Sequence, residues 1–207
     1  MKKLVILLLV LFLTGCTVVR IDTTSIDNII NVVLSKDNDL YNRVGRGYKY
    51  YVPRGVTYLD TNQNNDILFS NGNHYYLYID IISYYHRVER EYVVNKWAYY
   101  SRAIDINGKR GYLEINIQPD GKYFIEFMYN FAKIEALVEQ RYVNSVILDA
   151  SYILSTIKFN SNVISLMLDD DFLNIEEKFD IFIPRQETED FIKREEEGEI
   201  DEYNGQS

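Results

Sequence analysis

The sequence predicts an α+β fold, a single antiparallel sheet with a meander at its centre and helices flanking it. Three observations carry this. Asn107-Gly108 and Asp120-Gly121 separate runs rich in β-branched and aromatic residues, as tight hairpins do. Two segments place apolar residues at helical spacing, one from Ile26 to Val33 and one from Val143 to Ile157. The length, 207 residues with 47% hydrophobic and 26% charged, suits one globular domain.

The chain opens with Met1-Lys2-Lys3, an apolar run from Leu4 to Leu13, and Thr14-Gly15-Cys16. A basic start, a short apolar stretch and a small-residue junction make a secretory leader. The run is too short for a mature span, which needs ~20 residues. Leu13-Thr14-Gly15-Cys16 resembles the bacterial lipobox. That resemblance implies a diacylglyceryl group on the Cys16 sulfur, cleavage after Gly15, and Cys16 as the new N-terminus. A thiolate is the nucleophile such chemistry requires, and Cys16 is the only cysteine. An ordinary secretory leader with an incidental cysteine is the alternative. Two acyl chains meet the two-signal requirement for stable anchoring, each buried CH₂ contributing ~0.8 kcal/mol. The expected division is a leader at 1–15, a lipidated tether at 16–23, a domain at 24–186 and an acidic tail at 187–207.

After the tether, Thr24 or Ser25 can cap a helix with Asp27 in its first turn. Its polar face carries Asp27, Asn28 and Asn31 rather than lysines, so its apolar face is expected on the core. Tyr48 to Val52 reads as a short strand stopped by Pro53. Val56 to Leu59 and Ile67 to Phe69 read as strands around a polar loop, Asp60 to Asp66. Asn71-Gly72 is a turn leading to a long strand, His74 to Ile82. A charged segment, His86 to Glu91, interrupts the pattern. The meander follows as Trp97 to Ile106, Gly111 to Ile117 and Tyr123 to Tyr129. Ala132 to Glu139 suits either a strand or a helix start. Arg141 to Lys158 is an amphipathic helix. Val163 to Leu168 and Ile175 to Ile183 read as late strands or irregular pieces. Residues 187–202 hold nine acids against Lys193 and Arg194, a composition that favours disorder.

Composition excludes several classes of partner and chemistry. The net charge of −9 argues against nucleic acid, whose phosphates need a basic face. One cysteine excludes an internal disulfide or a cysteine-built zinc site, and two histidines leave little for a histidine-rich centre. No cofactor is expected.

Gly47-Tyr48-Lys49-Tyr50-Tyr51-Val52-Pro53-Arg54-Gly55-Val56 resembles the opening strand of Mog1/PsbP-like domains, where an aromatic strand runs into a bend. Ile153-Leu154-Ser155-Thr156-Ile157-Lys158-Phe159 is similar to the close of their C-terminal helix. The resemblance spans about Gly47 to Phe159, and the extension after Phe159 departs from it. It implies an α/β/α arrangement of an antiparallel sheet with helices. It also implies a scaffold used mainly for binding or assembly rather than catalysis.

Candidate chemistry is sparse. Asp60, Asn62 and Asn64 occupy the alternate positions of a calcium loop and Ile67 its eighth. Asn65 replaces the usual glycine, and Asn71 cannot supply the bidentate carboxylate. A polar turn explains the same residues. Asp169-Asp170-Asp171 on an extended chain would point to opposite sides. His74 and His86 lack a partner at metal-ligand spacing, and no nucleophile elbow or phosphate loop occurs. Tyrosine is abundant, with 19 in the chain. Tyr76 and Tyr78 should share one sheet face with His74, and Tyr75, Leu77 and Ile79 the other. Tyrosines so placed can stack on sugars or peptides, or simply fill a half-buried sheet.

These readings converge on a lipoprotein held through Cys16 on the extracytoplasmic face of a cell membrane. It is expected to be a non-catalytic module contacting an envelope protein or cell-wall polymer. The alternatives are an extracytoplasmic hydrolase or metal-dependent enzyme and a calcium-dependent adhesin. No catalytic, cofactor-binding or metal residue is assigned.

Overall fold

The computed structural model describes residues 21–62, 65–89 and 91–170. Cys16, the segment Ile175 to Ile183 and the acidic tail lie outside them.

The first helix, α1, spans Ile26–Leu34. Ser25 caps it, its hydroxyl accepting from the Asn28 amide at 3.2 Å, and Asp27 sits in the first turn as the dipole favours. Ile29, Ile30, Val33 and Leu34 are buried, so the apolar stripe faces the core as expected.

Strands follow as β1 (Arg43–Val44), β2 (Tyr48–Tyr50), β3 (Thr57–Asn62), β4 (Asn65–Ser70) and β5 (Asn73–Ile79). The expected Asp60–Asp66 loop is mostly strand, because β3 and β4 stay paired as far as Asn62 opposite Asn65. Asn71-Gly72 forms the two-residue turn, with φ of 53° and 80° matching the strand twist. The long strand ends early, at Ile79. Asp80 accepts from the Ser83 amide at 2.7 Å and starts a short helix, α2, at Ile81–His86.

The meander is β6 (Tyr100–Ile106), β7 (Lys109–Ile117) and β8 (Tyr123–Tyr129), continued by β9 (Ala132–Val138). Ala132 to Glu139 is thus a strand. Its hairpin uses Asn130 and Phe131, both at positive φ. Trp97 lies before β6, not within it. After a short 3₁₀ turn, α3 spans Val143–Ser155, β10 Lys158–Phe159 and α4 Ser161–Asp170. Val163 to Leu168 is therefore helical, with Ile164 packed into the core and the Asn160 side chain accepting from the Val163 amide at 3.3 Å.

Seven strands form one antiparallel sheet in the order β3-β4-β5-β9-β8-β7-β6. Two meanders meet at its centre, where β5 pairs with β9. A smaller sheet, β1-β2-β10, pairs Phe159 with Tyr48 and Lys158 with Lys49. It is tied to the large sheet by Tyr50, whose hydroxyl donates to Asp66 at 2.6 Å.

Helices α1 and α3 pack on each other, and α3 lies on β8 and β9. Between helices and sheet lie Leu77, Leu113, Ile115, Ile125, Phe127 and Ile134, all fully buried. Tyr75, Leu77 and Ile79 of β5 face this layer, and His74, Tyr76 and Tyr78 face away, as the alternation predicts. The connection from β5 to β6 must travel from mid-sheet to its edge. Residues 91–99 lie on the face opposite the helices, where Tyr92 stacks on Tyr112 with ring centroids 4.2 Å apart.

Candidate functional site

The sheet face opposite α1 and α3 carries the unusual chemistry. Strand register places Glu114 of β7 opposite Glu126 of β8, and Glu126 opposite Glu135 of β9. All three carboxylates are buried, in a row across neighbouring strands. Like charges directly opposite one another repel, so such a row needs donors. Glu114 has them. Its carboxylate accepts from the Tyr92 hydroxyl in a very short contact, from Asn95 Nδ2 at 3.0 Å and from Asn116 Nδ2 at 2.9 Å. Glu135 faces Lys133, Nζ to Oε1 2.6 Å, and Lys133 also sits 5.2 Å from the centre of the Tyr78 ring. Burial pushes the Glu135 carboxyl above its ordinary range, and the Lys133 charge opposes that.

Beside this charged centre runs an aromatic stripe. The His74 ring meets Phe69 edge-on at 5.3 Å and stacks on Tyr76 at 6.3 Å. Together these residues offer flat rings next to a polar centre, a surface suited to stacking and hydrogen bonding.

A cleft of about 640 Å³ opens at the hairpin end of the same face. Glu91, Tyr92, Asp105, Lys109, Arg110 and Tyr112 are among its walls. Arg110 bridges Glu89 at 3.1 Å and Asp105 at 3.6 Å. The Lys109 amine lies on the helix side of the sheet, 6.0 Å from the centre of the Tyr129 ring, where burial first and the Lys158 charge second hold it below its ordinary range.

At the opposite end of β6, the loop before it exposes apolar side chains. Trp97 is 96% exposed and Val93 84%, and Val94 and Tyr99 of the same loop are also exposed.

The residues singled out in the sequence fall as follows. Cys16 lies outside the described residues. Asp60 is exposed and accepts from the Thr61 amide at 2.7 Å. Asp66 turns into the core toward Tyr50, so it does not join Asp60 in a loop. Asn64, Asp171 and the side chains of Asn62, Asp169 and Asp170 are not among those described. His86 meets the Tyr85 ring edge-on at 5.2 Å. Among the described residues, no three His, Cys, Asp or Glu side chains are grouped to hold a metal ion. Also among them, no helix is long and apolar enough to cross a membrane.

The glutamate row and the Trp97 loop escaped the sequence reading. A signal for the row was present, since Glu114, Glu126 and Glu135 lie in consecutive hairpin-linked strands at positions the turns bring level. Glu114 is covered by Tyr92 and Asn95 of the crossing segment, which no local pattern announces.

No family model, no curated protein and no solved structure matches the chain.

Proposed function

We propose that the protein is an extracytoplasmic lipoprotein, anchored through acylated Cys16, whose domain binds an envelope protein or cell-wall polymer without catalysis. The observation that carries this reading is the sole cysteine standing directly after Leu13-Thr14-Gly15, behind a basic and apolar leader. The aromatic stripe Phe69–His74–Tyr76 and the polar centre beside it supply the binding surface. In this reading the partner is not a nucleic acid. The domain is Mog1/PsbP-like. Supporting that likeness, the two motifs that carry it pair directly, Tyr48-Lys49 against Lys158-Phe159.

A second reading, an extracytoplasmic hydrolase or metal-dependent enzyme, draws on the cleft beside Arg110 and Tyr112. It requires Arg110 to release Glu89 or Asp105 for a substrate. A calcium-dependent adhesin loses support because Asp66 is engaged by Tyr50.

The test of the anchor is lipid labelling in the natural host. Cys16→Ser should abolish the label and release the protein into the medium. Labelling that persists in that variant contradicts the assignment. Crosslinking of the wild-type chain in its own membrane then identifies the partner.

A further inference from the structure

We infer that the loop 93–99 enters the interface of the membrane that holds the lipid, so that Trp97 and the acyl chains grip the same bilayer; this rests on the anchor reading above.

The loop is apolar and presented to solvent. Val93, Val94, Trp97 and Tyr99, all within one short stretch of chain, are exposed. Apolar surface clustered this way marks a contact with a partner or a membrane. The loop is also held in shape. The Asn95 amide donates to the Ser101 hydroxyl at 2.8 Å, and the Trp97 amide donates to Asn95 Oδ1 at 3.0 Å. Tyr99 packs edge-on against Tyr123 at 4.9 Å, and Tyr123 pairs with Ile117. A preorganised loop loses little entropy when it docks.

The position of the chain entry selects lipid as the occupant. Tyr100, three residues after Trp97, donates to Asp27 Oδ1 at 2.8 Å. Asp27 lies in the first turn of α1, so the start of the domain and the loop share one end of the molecule. Cys16 precedes Ile21 by five residues, a reach of at most ~17 Å. Three residues from Tyr100 to Trp97 add at most ~10 Å. A tether that short brings this end of the domain to the bilayer surface. Tryptophan and tyrosine favour the headgroup level, where each ring meets both apolar and wet surroundings. Lys96, within the loop, can reach lipid phosphates while its stem stays apolar.

Trp97 is the only tryptophan, so its emission reports on the loop without a label. The acylated protein, purified from host membranes, is reconstituted into phosphatidylcholine vesicles with and without brominated acyl chains. The expected result is blue-shifted emission, protected from acrylamide and quenched roughly twofold or more by bromine, as an interfacial depth of ~5–10 Å requires. Val93→Asp, with Trp97 retained and the fold checked by circular dichroism, should lose most of that quenching. Vesicle-bound protein whose Trp97 ignores bromine and stays open to acrylamide overturns the inference, leaves the anchor standing and returns the loop to a protein partner. Protein with an unmodified sulfhydryl that stays off the vesicles overturns both.

Discussion

Lys133 Nζ lies 2.6 Å from Glu135 Oε1, two residues apart on β9, with both side chains buried beneath the outer sheet face. Glu126 stands opposite Glu135 on β8, and Tyr78 covers Lys133. Burial outweighs the lysine, so the native Glu135 carboxyl keeps its proton to higher pH than in the unfolded chain. The native state then binds more protons, and this group's contribution falls as pH rises from the ordinary glutamate range through the raised native value. Lys133→Met removes the opposing charge. It should destabilise the fold by about 3 kcal/mol at neutral pH, and by clearly less in mild acid, where Glu135 is protonated. Urea unfolding of both proteins at the two pH values checks this. An equal loss at both would refute the coupling.

Tyr50 and Asp66 join the small sheet to the large one. The phenol is pushed well above its ordinary range, first by burial and then by the Asp66 hydrogen bond, so it stays a donor at any ordinary pH. Tyr50→Phe keeps the ring and removes the donor. The expected cost is about 1–3 kcal/mol, read as a lower urea midpoint with an unchanged slope. An unchanged midpoint would show that the two sheets are held by packing alone.

Gly111 lets β7 approach β8 closely. A Cβ there would stand 2.0 Å from the Met128 carbonyl oxygen, a backbone atom that cannot swing aside. Gly111→Ala should therefore cost roughly 1–3 kcal/mol by overpacking. Gly121→Ala tests backbone conformation instead, because its Cβ meets open space while φ is +84°. Thermal melts of both variants separate the two effects, and an unaffected Gly111→Ala would argue against this strand register.

What the sequence made legible was local. The Asn-Gly dipeptides at 71–72 and 107–108 marked two hairpins, and Ser25 with the Ile26–Val33 stripe marked α1. The turn at Asn130-Phe131 was hidden because Phe131 adopts positive φ without being glycine or asparagine. The break at Asp80 was hidden because Ile81 and Ile82 prolong a strand-like pattern, while the Asp80 side chain caps a helix. Ser161–Asp170 carried a strand-like apolar run, and packing of Ile164 into the core settles it as helix. The pairing of β5 with β9 and the passage of 91–99 over the outer face are long-range events. The crossing segment covers Glu114 through Tyr92 and Asn95, where strand alternation alone would have left that carboxylate in water.

Trp97 contributes contact area rather than stability in the free domain. Trp97→Ala should change the unfolding free energy by less than about 0.5 kcal/mol, as expected for a side chain that touches little. Chemical denaturation followed by circular dichroism is the appropriate readout, since the variant has no tryptophan emission. A loss above about 1.5 kcal/mol would mean the ring packs on the domain.

The anchor is the claim on which the account stands, and the intact mass of the protein from its natural host tests it most directly. The expected species is a chain that starts at Cys16 and carries a diacylglyceryl group on its sulfur. A chain that keeps residues 1–15 and a free Cys16 thiol would contradict it.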